Sequence, residues 1–525
     1  MSQVFIADLL AIALFIVATF GVLLGFPIAF SLAGFSLFFA ALGWALGVFD
    51  PIILTSLPSR YFGLMTNEVL VAVPLFIFMG AVLERSKIAE ALLETMGQLF
   101  GTMRGGLAIS VVIVGALLAA STGVVGATVV TMGMISLPAM MRAGYDPKLA
   151  TGVICAAGTL GQIIPPSVIL IFVGDLLMGA NQLAAQRTGK ALDPVSVGDL
   201  FAGAFLPGLA LVGLYILYII GLAFVRPRDC PALEMDAAQR GTLARRFVRA
   251  LIPPLLLIIG VLGSILAGIA TPTEAASIGA IGSMILAAFN RALSFGTLLA
   301  VMRNTAVISA LVFAIVLGVS VFSLVFRGLG GEHLVEQVLS GVPGGTFGAV
   351  MSVMIVMFVL GFFMDTIEIV LIVVPVTAPV IIAMGIDPVW LGVMIGINLQ
   401  TAFLTPPVGF ALFYMRAVAP KSITTGAIYK GILPFVAMQL AAIATLWSVP
   451  QLATWLPKQV FPDAVPAAGS GPPGSVLDDL LSAPSGGRPT TSGSPLDQLL
   501  DRPASGAPSR DDPILDRLQN NPVRQ

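Results

Sequence analysis

One spacing dominates this chain. Pro138, Gly144, Asp146-Pro147 and Pro165-Pro166 reappear without a gap as Pro379, Gly385, Asp387-Pro388 and Pro406-Pro407, each 241 residues later. Upstream the pairing continues more loosely, Pro27 and Gly34 being answered by Pro272 and Gly279 at an offset of 245. Proline and glycine are the residues least suited to a helix interior. A duplicated set of them therefore marks two equivalent series of places where helices bend or stop.

The duplicated sequence is too apolar for a water-soluble surface. Of 525 residues, 57% are hydrophobic and 10% charged, and the mean hydropathy is +1.01. Such a chain is an integral membrane protein. Stretches long enough for the hydrocarbon core, about 20 residues, fall at 4–25, 27–48, 69–84, 149–174, 199–225, 250–270, 273–290, 304–326, 389–415 and 431–456. Two more, 106–141 and 347–383, exceed one crossing and carry interrupted centres. These centres are Ala120-Ser121-Thr122-Gly123, and Asp365-Thr366 followed by Pro375 and Pro379. Each stretch is read as a helical hairpin that enters and leaves on one side, the alternative being a tilted span or two short crossings.

The fold class expected is an all-α polytopic membrane protein built from two inverted repeats, with re-entrant hairpins and broken helices. Repeat 1 covers 1–226 with its broken helix at 149–174, and a basic linker follows at 227–249. Repeat 2 covers 250–457 with its broken helix at 389–415. The remainder, 458–525, is rich in Pro, Gly, Ser and Asp and is expected to be disordered. Within it Leu477-Asp-Asp-Leu-Leu, Leu496-Asp-Gln-Leu-Leu and Leu515-Asp-Arg-Leu-Gln recur every 19 residues.

Inversion follows from charge. With the N-terminus outside and both hairpins re-entrant, the outer side receives only Arg60, Arg187, Lys190, Arg327 and Lys458 ahead of the tail. The other basic residues, from Arg85 to Lys430, fall inside, as the positive-inside rule requires. Within the repeat, Arg142-Ala-Gly-Tyr-Asp-Pro-Lys148 is basic where Ala383-Met-Gly-Ile-Asp-Pro-Val389 is not. Equivalent loops thus face opposite sides, the arrangement found in many secondary transporters. Amphipathic stretches at 87–100 and 332–339 read as interfacial helices.

Other function classes find little support. A net charge of −1 with scattered basic residues leaves no nucleic-acid footprint. The two cysteines, Cys155 and Cys230, suggest neither a disulfide framework nor a metal site, and the single histidine, His333, excludes most zinc and His-base chemistry. No nucleophile-base pairing suggests an enzyme. With no Lys or Arg in Met1 to Asp8, the first apolar segment reads as a retained span rather than a cleaved signal.

The helix breaks carry the chemistry. In hydrocarbon, irregular backbone is tolerated only against protein or a polar cavity. Pro165-Pro166 removes two successive N–H donors, and Gly158-Thr159-Leu160-Gly161-Gln162 before it lets the chain unwind. The second copy is Asn398-Leu-Gln400-Thr401-Ala-Phe-Leu-Thr405-Pro406-Pro407-Val-Gly409. Freed carbonyls and hydroxyls suit a monovalent cation such as Na⁺, whereas Mg²⁺ or Ca²⁺ normally takes more carboxylates. Each hairpin is expected to cover one break, Ser121 and Thr122 with Gly123 facing the first, Asp365 and Thr366 the second. Asp365 is the more telling, because an ionisable group in an apolar segment is costly. Glu274 reads as a helix N-terminal acid.

Four runs resemble the large membrane subunit of tripartite ATP-independent periplasmic (TRAP) transporters. They are Leu118-Ala-Ala-Ser-Thr-Gly123, Gly158-Thr-Leu-Gly-Gln-Ile-Ile-Pro-Pro-Ser167, Ala270-Thr-Pro-Thr-Glu-Ala-Ala276 and Leu404-Thr-Pro-Pro-Val-Gly409, and the resemblance spans 1–456. It implies an elevator-type, Na⁺-coupled importer of an organic acid, with a fold like that of the ion transporter superfamily. It further implies a bacterial inner-membrane location, a small membrane subunit and a periplasmic substrate-binding protein. One Na⁺ region would comprise Ser121, Thr122, Gly123, Gly158, Thr159, Gly161, Pro165 and Pro166. The other would comprise Asp365, Thr366, Asn398, Gln400, Thr401, Thr405, Pro406 and Gly409. A related Na⁺/dicarboxylate carrier working alone is the other reading. No arginine lies in either region to clamp a carboxylate, so the substrate is left open.

Overall fold

Among the described residues, the computed structural model contains twenty α-helices, divided evenly between the repeats, and no strand. Described are residues 3–86, 88–122, 125–232 and 237–462, with side chains left aside at Ala89, 120–122, 237–247 and Arg249. The 19-residue repeat of the tail lies outside them.

In the first half, α1 (Gln3–Leu23) and α2 (Ile28–Ala45) turn on Gly25, whose φ of 87° favours glycine, and on Pro27, which opens α2. Next, α3 (Leu57–Met65) and the 3-10 turn before it meet α4 (Glu68–Arg85) at a bend of 52°. This element was not anticipated, because residues 49–68 lie between the expected apolar stretches 27–48 and 69–84. Amphipathic α5 (Ile88–Gly101) precedes the hairpin arms α6 (Gly106–Thr122) and α7 (Val125–Arg142). Asp146 caps α8 (Pro147–Thr159) by accepting from Lys148 N at 2.9 Å. A break separates α8 from α9 (Val168–Thr188), and α10 (Val197–Val225) closes the half from a Ser196–Asp199 capping box.

The second half repeats the plan through α11 (Ala237–Leu266), α12 (Pro272–Phe289), α13 (Phe295–Gly328) and amphipathic α14 (Gly331–Gly341). Hairpin arms α15 (Gly345–Leu360) and α16 (Thr366–Ala383) follow. Asp387 caps α17 (Pro388–Leu404), as Asp146 caps α8, through Val389 N at 2.8 Å and Trp390 N at 3.0 Å. After the second break come α18 (Phe410–Val418), α19 (Thr425–Ser448) and α20 (Gln451–Val460). Three expected boundaries shift. The span at 250–270 begins thirteen residues earlier, in α11; Pro253 and Pro254 lie within that helix. The span at 431–456 divides at Val449, which precedes Pro450 and is pushed out of helical geometry. Helix α20 then carries ordered structure past Lys458, the first residue assigned to the tail.

Each hairpin opens and closes at one end of the bundle, and the two open at opposite ends. Flanking the first, Gly105 N and Asp146 N donate to the adjacent carbonyls of Cys230 and Asp229, both at 3.0 Å, in the loop after α10. Flanking the second, Phe347 and Trp390 both pack edge-on against Trp447 near the end of α19, with ring centroids 4.6 and 5.1 Å apart. Trp390 Nε1 also donates to Leu446 O at 2.9 Å. The start of α8 crosses the start of α19 so closely that a Cβ on Gly431 would strike Lys148 O, and one on Gly152 would strike Gly431 O. From Gly431 to Trp447 is sixteen residues of helix, about 24 Å. Cys230 and Trp447 therefore mark opposite ends.

Packing between helices shows the same two-fold relation. Helix α4 packs on α12 as α13 packs on α2; α16 packs on α9 as α7 packs on α18; α8 packs on α19 as α17 packs on α10. Nine described helices are long and apolar enough to cross a bilayer, or up to eleven if each of two bent pairs counts as one. The chain is thus an all-α polytopic membrane protein.

Candidate functional site

Both breaks fall at the Pro-Pro pairs of the repeat. Helix α8 tightens into a 3-10 turn at Leu160–Gln162, where Ile163 N and Ile164 N share Leu160 O at 3.1 and 2.9 Å. The chain then passes a cis Pro165–Pro166 bond before α9. After α17, Thr405 N reaches Ala402 O at 3.1 Å, a cis Pro406–Pro407 bond follows, and Gly409 takes a φ of 39°. Pro165 and Pro407 supply no N–H to Gly161 O and Phe403 O, which helical continuation would have satisfied. At the second break Phe403 O and Thr405 O converge on Gly409: a Cβ there would lie 3.0 and 2.9 Å from them.

Side-chain oxygens line the same segments. Thr159 Oγ1 donates to Ala156 O (2.9 Å), Ser167 Oγ to Gln162 O (3.1 Å), Thr401 Oγ1 to Ile397 O (2.7 Å) and Thr405 Oγ1 to Thr401 O (2.7 Å). A hydroxyl that donates its proton to a carbonyl keeps lone pairs for another partner. Gln162 and Gln400 are fully buried; Gln162 Oε1 lacks a hydrogen-bond partner, as do both Oε1 and Nε2 of Gln400. Carbonyl, hydroxyl and amide oxygens of this kind are the ligands a hard cation takes.

The first hairpin meets the first break. A Cβ on Gly161 would come within 3.1 Å of Ala119 O in α6, and one on Gly158 would strike Val129 of α7, so both glycines permit the contact. Ser121 and Thr122 end α6 at this hairpin's tip, and Gly123 lies outside the described residues. The second hairpin is divided. Asn398 Nδ2 donates to Met354 O of α15 at 2.8 Å, and Gly361 at the tip packs on Ala402 of α17, so this side meets the second break as expected. Thr366 does not join it. Its Oγ1 accepts from Gln162 Nε2 at 3.0 Å, placing it on the first break. The reason lies in the packing, since α16 runs along α9 of the other repeat.

Asp365 stands exposed as the N-cap of α16, and its backbone N donates to Glu368 Oε2 at 3.0 Å. Glu368 is thereby a capping acid. So is Glu274, whose Oε2 accepts from Thr271 N at 2.8 Å. Two further polar pairs were not singled out from the sequence. Asn67 Nδ2 donates to Asp175 Oδ1 of α9 at 2.8 Å, and Gln439 Nε2 donates to Tyr215 Oη at 2.7 Å. Asp175 had a signal, a carboxylate inside an apolar stretch. Gln162 had one too, lying inside the first break motif.

Paired helix breaks within an inverted helical repeat define the fold of a secondary transporter. The model of the tripartite ATP-independent periplasmic transporter family, DctM component, matches residues 12–452, and the chain belongs to that family. It is 31% identical over 414 residues to the C4-dicarboxylate TRAP transporter large permease protein DctM of Pseudomonas aeruginosa, covering 78% of this chain and 91% of that one. The ectoine TRAP transporter large permease protein TeaC of Halomonas elongata is 28% identical, covering 84% and 97%. Among solved structures, the YdaH transporter of Alcanivorax borkumensis, described as having an unusual topology, shares the fold with a TM-score of 0.55. That match has 15% identity and covers 77% of this chain and 88% of that one.

Proposed function

We infer that this chain is the permease through which a Na⁺ gradient drives import of an organic acid across the bacterial inner membrane. A periplasmic binding protein delivers the substrate, and a small membrane subunit completes the assembly. The observation that carries the reading is the pair of oxygen-lined breaks, each built on the same Pro-Pro motif and each met by a hairpin. Ser121, Thr122, Gly158, Thr159, Gly161 and the Pro165-Pro166 segment would hold one cation. Asp365, Asn398, Gln400, Thr401, Thr405 and the Pro406-to-Gly409 segment would hold the other, with Thr366 acting from the second hairpin on the first break.

The energetics suit concentrative uptake. Each net charge moved inward gains roughly 2.3 kcal/mol per 100 mV, so two net charges support roughly a thousandfold accumulation. Hairpins opening at opposite ends suit alternating access by an elevator-like displacement of the hairpins and broken helices. Neither break contains an arginine to select a carboxylate, which favours selection by the binding protein. The named relatives, one for C4-dicarboxylates and one for ectoine, are in keeping with a shared permease and different cargo.

The test is uptake by vesicles containing this chain, its small partner and the binding protein. Uptake should follow an imposed Na⁺ gradient steeply and require the binding protein. Equal uptake with choline in place of Na⁺ and a proton gradient supplied would overturn Na⁺ coupling. Concentrative uptake by this chain alone would overturn the tripartite reading.

A further inference from the structure

We propose that the groove between α5 and hairpin arm α7 is a binding site for the headgroup of a zwitterionic phospholipid, phosphatidylethanolamine. The cavity measures about 440 Å³. Glu90, Glu94 and Gln98 line one wall at helical spacing along α5, and Arg142, from the last turn of α7, lines the other. Among the described residues no ion pair joins Arg142 to either acid. Ser136 also lines the cavity. It is 3% exposed, and its Oγ has no hydrogen-bond partner, a condition native structures avoid unless a ligand or water serves the group.

The chemistry of the walls selects the ligand. Two carboxylates on α5 attract a cation, but the guanidinium opposite opposes a bare metal ion; an anion alone meets the reverse conflict. A molecule with an ammonium at one end and a phosphate at the other satisfies both, and a planar guanidinium is well suited to phosphate. Primary ammonium offers three N–H donors to Glu90 and Glu94, and the phosphate ester oxygens accept from Arg142 and Ser136. Leu93 and Ile135 supply apolar wall.

Location identifies the source as the bilayer. An amphipathic helix such as α5 lies in the headgroup plane. Arg104, in the turn after it, and Arg85, before it, sit at the same end of the bundle as Arg142, the basic end. Phosphatidylethanolamine in this groove links α5 to the arm of the hairpin that meets the first break.

The experiment is native mass spectrometry of the purified chain after exchange into micelles carrying equal phosphatidylethanolamine, phosphatidylcholine and phosphatidylglycerol. The wild-type chain should retain phosphatidylethanolamine preferentially. Loss of a charge-assisted contact in Arg142→Gln, or in the Glu90→Gln, Glu94→Gln pair, should cut that retention about tenfold. Arg142→Lys should keep most of it, and thermal stability in lipid-free detergent should be unchanged in all variants, since Glu90, Glu94 and Arg142 are all exposed. Equal retention of the three lipids, or retention indifferent to the substitutions, would overturn the proposal. Displacement by soluble phosphoethanolamine at micromolar concentration would overturn the lipid source.

Discussion

Gln162 and Thr366 lie in different repeats, yet Gln162 Nε2 donates to Thr366 Oγ1 across 3.0 Å in a site where neither side chain is more than 1% exposed. One residue ends the 3-10 turn of the first break, and the other begins the exit arm of the second hairpin. The bond joins the second hairpin, through the Thr366 side chain, to the Gln162 side chain at the break of the other repeat. A change at the first break is therefore felt by the hairpin of the other repeat.

Removing one partner of this bond should cost more than removing both. Thr366→Val leaves a buried amide donor unpaired, at about 1–3 kcal/mol. Pairing it with Gln162→Met, which removes the amide, should restore part of that loss. Thermal unfolding of the two single variants and the double variant checks this; strictly additive losses would show that the contact is incidental.

Hydroxyls at the breaks should matter to the cation more than to folding. Thr405→Val and Thr122→Val keep shape but delete an oxygen. Each should raise the Na⁺ half-saturation of uptake about tenfold, equivalent to about 1.4 kcal/mol, while membrane abundance stays near wild type. Unchanged half-saturation in both would make these groups packing elements only.

The α8–α19 crossing should tolerate no side chain. At Gly431 a Cβ meets the backbone carbonyl of Lys148, which cannot rotate away. Gly431→Ala should therefore destabilise by about 1–3 kcal/mol, the usual cost of overpacking. Gly213→Ala on α10, where nothing lies within 4 Å, should be neutral or slightly stabilising. Melting temperatures of the two variants in detergent give the comparison, and equal effects would contradict the close crossing.

Much of this architecture is legible in the chain because prolines and glycines act locally. Pro165-Pro166 and Pro406-Pro407 withhold N–H donors at the ends of α8 and α17, and Asp146 and Asp387 cap the helix that their following proline opens. Charge alone also told the repeats apart, through Arg142 and Lys148. Pairings set by tertiary packing left no comparable mark. Thr366 was expected on the break of its own repeat; whether it turns there or toward Gln162 depends on α16 packing along α9. Asn67 and Asp175 meet across 108 residues for the same reason. At Val449 the proline signal was present, but an apolar sequence on both sides concealed the end of α19.

The opposed opening of the two hairpins is what alternating access between the two faces needs, and cysteine accessibility tests it directly. Met103 precedes the first hairpin and is exposed; Gly341 precedes the second, also exposed, with nothing within 4 Å of an added Cβ. In a background with Cys155→Ala and Cys230→Ala, Gly341→Cys should react with impermeant maleimide in intact cells whose outer membrane has been permeabilised. Met103→Cys should react only once the cytoplasmic face is exposed. Labelling of both from the same face would contradict the inverted arrangement and the mechanism built on it.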